Sequence, residues 1–84
     1  MKLVLVTPQS KYEYSVQWIE AHTASGSLFI KPGHAPMILM LAPGFSFSFS
    51  LETSEKKEIA LVRPGFMEVN RDSAVLLLGQ EVAV

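Results

Sequence analysis

The chain has no cysteine among its 84 residues, which excludes a disulfide framework and any thiolate metal site. Charge is scarce as well: seven basic and eight acidic side chains give a net charge of −1. With no basic cluster, the electrostatic footprint of a nucleic-acid binder is missing, so no nucleic-acid partner is expected. Long apolar runs are lacking. Leu3-Val4-Leu5-Val6 follows a single Lys2 and stops at Thr7-Pro8, too short for a signal-peptide core and far too short to span a bilayer. Any link to a membrane must therefore run through partners. No window carries a 3.6-residue period with helix caps, and no glycine cluster could cradle a phosphate.

Chemistry-bearing residues are equally sparse. Only two histidines occur, His22 and His34, and no cysteine could join them around a metal. His34 follows a Pro-Gly pair, where its simplest role is to hydrogen-bond backbone within its own turn. Ser25, Asp72 and a histidine can be combined on paper into a triad, but no nucleophile elbow supports one. Glu52, Glu55 and Glu58 sit near Lys56 and Lys57 and read as a solvated hairpin tip. No catalytic, cofactor-binding or metal-ligating residue is assigned, and an enzyme is not expected.

What the chain does have is apolar material and turns. It is 49% hydrophobic, with mean hydropathy +0.29, which argues against disorder. Its length fits one domain, spanning 1–84, that buries only about 60–65% of its unfolded surface. So apolar a composition in a small domain suggests that part of its surface is normally covered. Three Pro-Gly pairs, Pro32-Gly33, Pro43-Gly44 and Pro64-Gly65, each bounded by apolar segments, punctuate an all-β fold.

Between these turns the period is close to two. Phe45-Ser46-Phe47-Ser48-Phe49-Ser50-Leu51 puts phenylalanines on one strand face and serines on the other. Phe45, Phe47 and Phe49 are expected to point into a core together with Val75 and Leu77, while the serine stripe faces solvent or a partner. Lys11 to Ala21 is a longer strand with Tyr12, Tyr14, Val16 and Trp18 on one face. Its length predicts a bulge or bend. Ser25-Gly26 marks a turn before Ser27 to Ile30, and Met37 to Leu41 is continuously apolar. Strands follow over Glu58–Val62, Phe66–Val69 and Ala74–Leu78, and Gly79 separates the last of these from Gln80–Val84. The sum is an antiparallel two-sheet sandwich of about 8–10 short strands.

The densest motif is Leu28-Phe29-Ile30-Lys31-Pro32-Gly33-His34-Ala35-Pro36. Pro32 fixes its own φ, Gly33 can take the positive φ of a tight reversal, and Pro36 pushes Ala35 towards extended geometry. Pro32, Gly33 and Pro36 are thus the loop-shaping residues. From Gly26 to Pro36 the run resembles the signature of the ε subunit of F-type ATP synthases, called δ in mitochondria. That family reads Gly-x-Leu-Gly-Ile, an often aromatic residue, then Pro-Gly-His-Ala-Pro. Pro43-Gly44 matches its second Pro-Gly, Gly65-Phe66-Met67-Glu68-Val69 is similar to its Gly-Gly-Ile-Leu-Glu-Val segment, and Leu3 to Ser10 fits its first strand and turn.

The resemblance implies an amino-terminal β-sandwich in the rotor of a proton- or sodium-translocating ATP synthase, without catalysis of its own. Its partners would be the γ subunit and the c-subunit ring, at the cytoplasmic face of a bacterial inner membrane. It also implies that Ser25, Gly26 and Ser27, with Lys31, Pro32, Gly33 and His34, face the ring. Three departures stand out. The family's carboxy-terminal helical hairpin is absent from this sequence, so neither inhibition of ATP hydrolysis nor ATP binding is expected of it. Ser25 and Ser27 replace acidic residues that often flank Gly26. Phe29 stands where glycine is usual, and must either find space in the core or enlarge a contact surface. The alternative is a free-standing β-sandwich binding module without a rotor role, which should carry a concave pocket instead of an uncovered face.

Overall fold

A computed structural model describes residues 1–82. The period-two segments form eight strands: β1 (Lys2–Val6), β2 (Lys11–Thr23), β3 (Gly26–Ile30), β4 (Met37–Leu41), β5 (Ser46–Leu51), β6 (Lys56–Ala60), β7 (Gly65–Val69) and β8 (Ser73–Leu78). No helix occurs among the described residues. The strands follow the order β4-β7-β8-β1-β2-β5-β6, with β3 also on β2. A first sheet holds β4, β7, β8, β1 and the start of β2, and a second holds the rest of β2 with β3, β5 and β6.

β2 is therefore the corner shared by both sheets. Its register against β5 shifts between Val16 and Trp18. Before that point Lys11–Ser15 pair with β1, and beyond it Ile19–Thr23 pair with β3. A bulge bends a strand and lets it pass from one sheet to the next, as the length of this segment predicts. The bulge also resets the side-chain parity. Val16 is buried, but Ile19 and Ala21 take the next inward positions, and Trp18 turns to the outer face instead of sharing that of Val16.

Pairing is antiparallel throughout except between β1 and β8, which run parallel. These are the first and last strands, so no short connection dictates their direction. Beyond β8, the Gln80 amide accepts from the Val62 and Arg63 N–H groups at 2.8 and 3.2 Å and donates to the Ala60 carbonyl at 3.0 Å. The Glu81 carboxylate accepts from the Thr7 hydroxyl and the Gln9 N–H, both at 2.8 Å. These side chains fasten the segment after β8 to the loops on either side of it.

The core lies between the two sheets. Leu3, Leu5, Val16, Ile19, Ile30, Leu41, Phe47, Phe49, Met67, Val69 and Leu76 are fully buried in it. Phe47 and Phe49 stack at 5.6 Å, and Tyr14 meets Phe49 at 5.1 Å. Three of the residues expected inward are not there. Phe45 precedes β5 and stays exposed, its ring stacked on His22 at 5.3 Å. Val75 and Leu77 point outward, while Ala74, Leu76 and Leu78 pack inward opposite Val69, Met67 and Gly65. Ala74–Leu78 contains no polar residue to mark an outer face, so its parity is fixed by the turn before it. Gly65 belongs to this packing. A Cβ there would sit 3.1 Å from Leu78 Cδ2 and 3.2 Å from Leu76 Cδ1.

Candidate docking face

The loops singled out by sequence are well formed but not adjacent. The Thr23 hydroxyl accepts from the Ser25 N–H at 3.2 Å and donates to the Gly26 carbonyl at 3.1 Å, closing the β2–β3 turn around Gly26 at φ +131°. Ser25, Gly26 and Ser27 are all exposed. The Pro32-Gly33 elbow turns through Gly33 at φ +85°, as a positive-φ glycine allows. Its N–H donates to the Arg71 carbonyl at 2.7 Å, tying the elbow to the β7–β8 turn. His34 Nδ1 lies 2.9 Å from the carbonyl oxygen of Ala35, the local backbone role foreseen for it. Lys31, Pro32, Gly33 and Pro36 are exposed and His34 is half-buried. The two loop groups occupy opposite ends of β3, five residues apart along a strand, or about 15 Å. They are two separate exposed loops and not one surface.

The first sheet carries a face that sequence reasoning missed. Cross-strand register aligns Ile38, Glu68 and Val75 in one row and Met40, Phe66 and Leu77 in the next. The parallel pairing continues these rows onto β1 through Val4 and Val6. Leu3 and Leu5 fill the core, so alternation turns Val4 and Val6 to this outer side. Ile38, Met40, Phe66 and Leu77 are 63%, 61%, 44% and 50% exposed. With half-buried Val6 and Val75 and nearly buried Val4 between them, these four side chains make a contiguous apolar outer surface, of a kind that small soluble domains rarely leave bare. Lys2 at the start of β1 and Lys11 on β2 bound it, each ion-paired to Glu13, at 3.5 and 3.7 Å. A signal was present in the sequence. Met37–Leu41 and Ala74–Leu78 lack alternation, the pattern of strands covered on both faces.

The outer face of the second sheet is finished by the chain's own side chains. Trp18 stacks on Phe29 at 5.0 Å, with Lys31 Nζ 5.4 Å from the Phe29 centroid and Lys56 Nζ 5.9 Å from that of Trp18. Phe29 therefore finds no place in the core and covers Trp18 instead. The serine stripe is not open to solvent: Ser48 and Ser50 are buried, their hydroxyls donating to Glu20 Oε1 at 3.5 Å and Gln17 Oε1 at 3.3 Å. Nearby, burial pushes the Tyr14 phenol above its ordinary pKa, helped by Tyr12 and opposed by Lys57.

Two shallow grooves line the apolar face of the first sheet. One, about 290 Å³, runs between Pro36, Ile38, Glu68 and Asn70, and the other, about 200 Å³, between Phe66, Glu68, Val75 and Leu77. Both fall below the roughly 300–1,000 Å³ of small-molecule pockets. No three His, Asp or Glu side chains converge on a metal position among the described residues.

Residues 1–82 match the family described as "ATP synthase, Delta/Epsilon chain, beta-sandwich domain". The chain belongs to that family. Among its relatives are proteins named ATP synthase epsilon chain from Anoxybacillus flavithermus, 35% identical over 78 residues, and from Thermobifida fusca, 36% identical over 78 residues. These alignments cover 92% and 90% of this chain but 56% of each relative, so the chain spans a little over half their length. The fold is shared with a chain in a solved structure of the Euglena gracilis mitochondrial ATP synthase, OSCP/F1/c-ring, at TM-score 0.84 and 23% identity, covering 96% of this chain and 51% of that one. A chain in the Tetrahymena thermophila mitochondrial ATP synthase central stalk/c-ring matches at TM-score 0.73 and 18% identity, covering 95% of this chain and 63% of that one.

Proposed function

We propose that this ε-type sandwich is a non-catalytic rotor-stalk subunit of an F-type ATP synthase. It joins γ to the c-subunit ring and so helps transmit ion-driven rotation to ATP synthesis. The observation that carries the reading is the contiguous apolar face of β4, β7, β8 and β1, which an isolated domain leaves uncovered. We assign γ to that face. Family membership and bacterial relatives named epsilon chain support the assignment. They also support a peripheral position on the membrane complex, at the cytoplasmic side of a bacterial inner membrane, reached only through partner subunits.

The ring contacts in this proposal are the exposed Ser25-Gly26-Ser27 turn and, about a strand's length away, the Lys31–His34 elbow. Ser25 and Ser27 carry no charge, so the turn acts through hydrogen bonds and shape, and its contact weakens only modestly with salt. Retention of γ by the tagged chain during purification tests the main assignment: γ should co-purify in stoichiometric amount, and its absence would count against the rotor reading. Ser27→Glu and Ser27→Lys, assayed for coupled ion pumping in assembled enzyme, test the turn. Unchanged coupling in both would remove it from the ring contact. A free-standing binding module finds less support, because both grooves on the apolar face are smaller and shallower than ligand pockets.

A further inference from the structure

One charged side chain interrupts the apolar face. Glu68 on β7 has Ile38 and Val75 as its cross-strand neighbours, with Phe66 two residues before it on the same side of the strand. It lines both grooves, standing between the one at Ile38 and the one at Leu77. Its exposed carboxylate has no ion pair among the described residues, and its polar contact is the Asn70 amide at 3.5 Å, the outer limit of a hydrogen bond. Other charges near this face, Lys2 at the start of β1 and Lys11 and Glu13 on β2, lie at its rim and satisfy one another.

A partner that covers Ile38, Phe66, Val75 and Leu77 must also take the Glu68 carboxylate out of water. A buried carboxylate without a counter-charge is strongly destabilising, whereas one met by a cation and hydrogen bonds is tolerated. Resting on the docking face proposed above, we infer that Glu68 is its ionic anchor. The γ surface it meets carries one cationic side chain, which pairs with Glu68, between two apolar side chains that fill the flanking grooves. A guanidinium suits this place best, because the Asn70 amide holds Glu68 Oε1 only at 3.5 Å and an exposed carboxylate can accept a parallel pair of N–H bonds. The carboxylate thereby selects for partner and register, and the apolar rows supply most of the affinity.

The test is a titration of γ, assembled in its catalytic head, with the wild-type chain, Glu68→Gln, Glu68→Lys and Leu77→Ser. Thermal melting of each variant controls for folding, and Glu68 is exposed enough that its substitution should leave the melt unchanged. Glu68→Gln should weaken binding by about thirtyfold or more, because it strands a cation under the interface, and Glu68→Lys should weaken it further. Most of that loss should persist at about 0.5 M salt, as for a covered charge pair rather than a rim contact. If Leu77→Ser weakens binding while Glu68→Gln leaves it within about twofold, the docking face stands and the anchor is overturned. If neither matters, the docking face itself is wrong and the anchor falls with it. If only Glu68→Gln matters, the carboxylate works outside an apolar interface, which also overturns the anchor.

Discussion

On the outer face of the second sheet, side chains finish one another: Phe29 stacks over Trp18, Glu20 accepts from Ser48, and Gln17 accepts from Ser50. On the first sheet, Ile38, Met40, Phe66 and Leu77 stand exposed around Glu68, whose carboxylate has no ion pair among the described residues. The same alternating strands produce both faces, so the difference lies in what occupies the outward positions. Where those residues are polar or aromatic and mutually matched, the face is stable in water as it is. Where they are aliphatic, the face gains free energy only when something covers it, about 25 cal/mol for each Å² of apolar surface removed from water. The first pattern belongs to a surface that stays exposed, and the second to one that docks.

Mutations can sharpen that contrast, beginning with the core both sheets share. Phe47→Ala should cost about 3–5 kcal/mol of stability in denaturant titration, since Phe47 is fully buried and the space would not collapse. A loss below about 1 kcal/mol would remove Phe47 from the core. Next in size is Met40→Asp on the docking face. It should lower affinity for the γ-containing head by about thirtyfold, as a charge forced under an apolar contact does, while unfolding free energy moves by no more than about 0.5 kcal/mol. The reverse pairing, a large stability loss with normal binding, would assign the two faces the wrong way round.

Trp18→Ala on the second sheet should show the mirror image. Loss of the Phe29 stack and of buried apolar area should cost about 1–2 kcal/mol of stability, with binding to the head unchanged. The smallest effect concerns Tyr14, in the wall between the faces. Burial raises its folded pKa above the unfolded value, so between the two values the native state keeps a proton that the unfolded chain has lost. Stability from this group is complete below the unfolded pKa and is lost as pH rises through the folded one. The urea midpoint should therefore fall on going from about pH 9 to about pH 11, and fall less in Tyr14→Phe. An equal fall in both would locate the effect elsewhere.

Much of the fold was legible in particular residues. The length of the segment from Lys11 to Ala21 announced the bulge that makes β2 a corner, and Pro32-Gly33-His34 announced a positive φ at Gly33 and a histidine bonded to its own turn. The parity beyond the bulge could not be read, because one extra residue sends every later side chain to the opposite face, and so Trp18 was placed on the face of Val16. Val75 and Leu77 were misplaced for a related reason: a run of five apolar residues carries no outward mark. That run was itself the clue to the docking face. A strand apolar on both sides is a strand meant to be covered on both sides. The separation of the Ser25–Ser27 turn from the Lys31–His34 elbow was readable in principle, since the strand between them has a length.

The absence of cysteine permits the measurement that bears most directly on the contrast between the faces. Leu77→Cys and Phe29→Cys each place one thiol on an exposed position of one face, and alkylation rates can be compared in the free chain and in the chain bound to the γ-containing head. Both thiols should react readily when the chain is free. On binding, the thiol at position 77 should be protected while that at 29 continues to react at its free rate. Equal reaction at both positions in the complex, or protection at 29 alone, would contradict the assignment of the first sheet as the docking face.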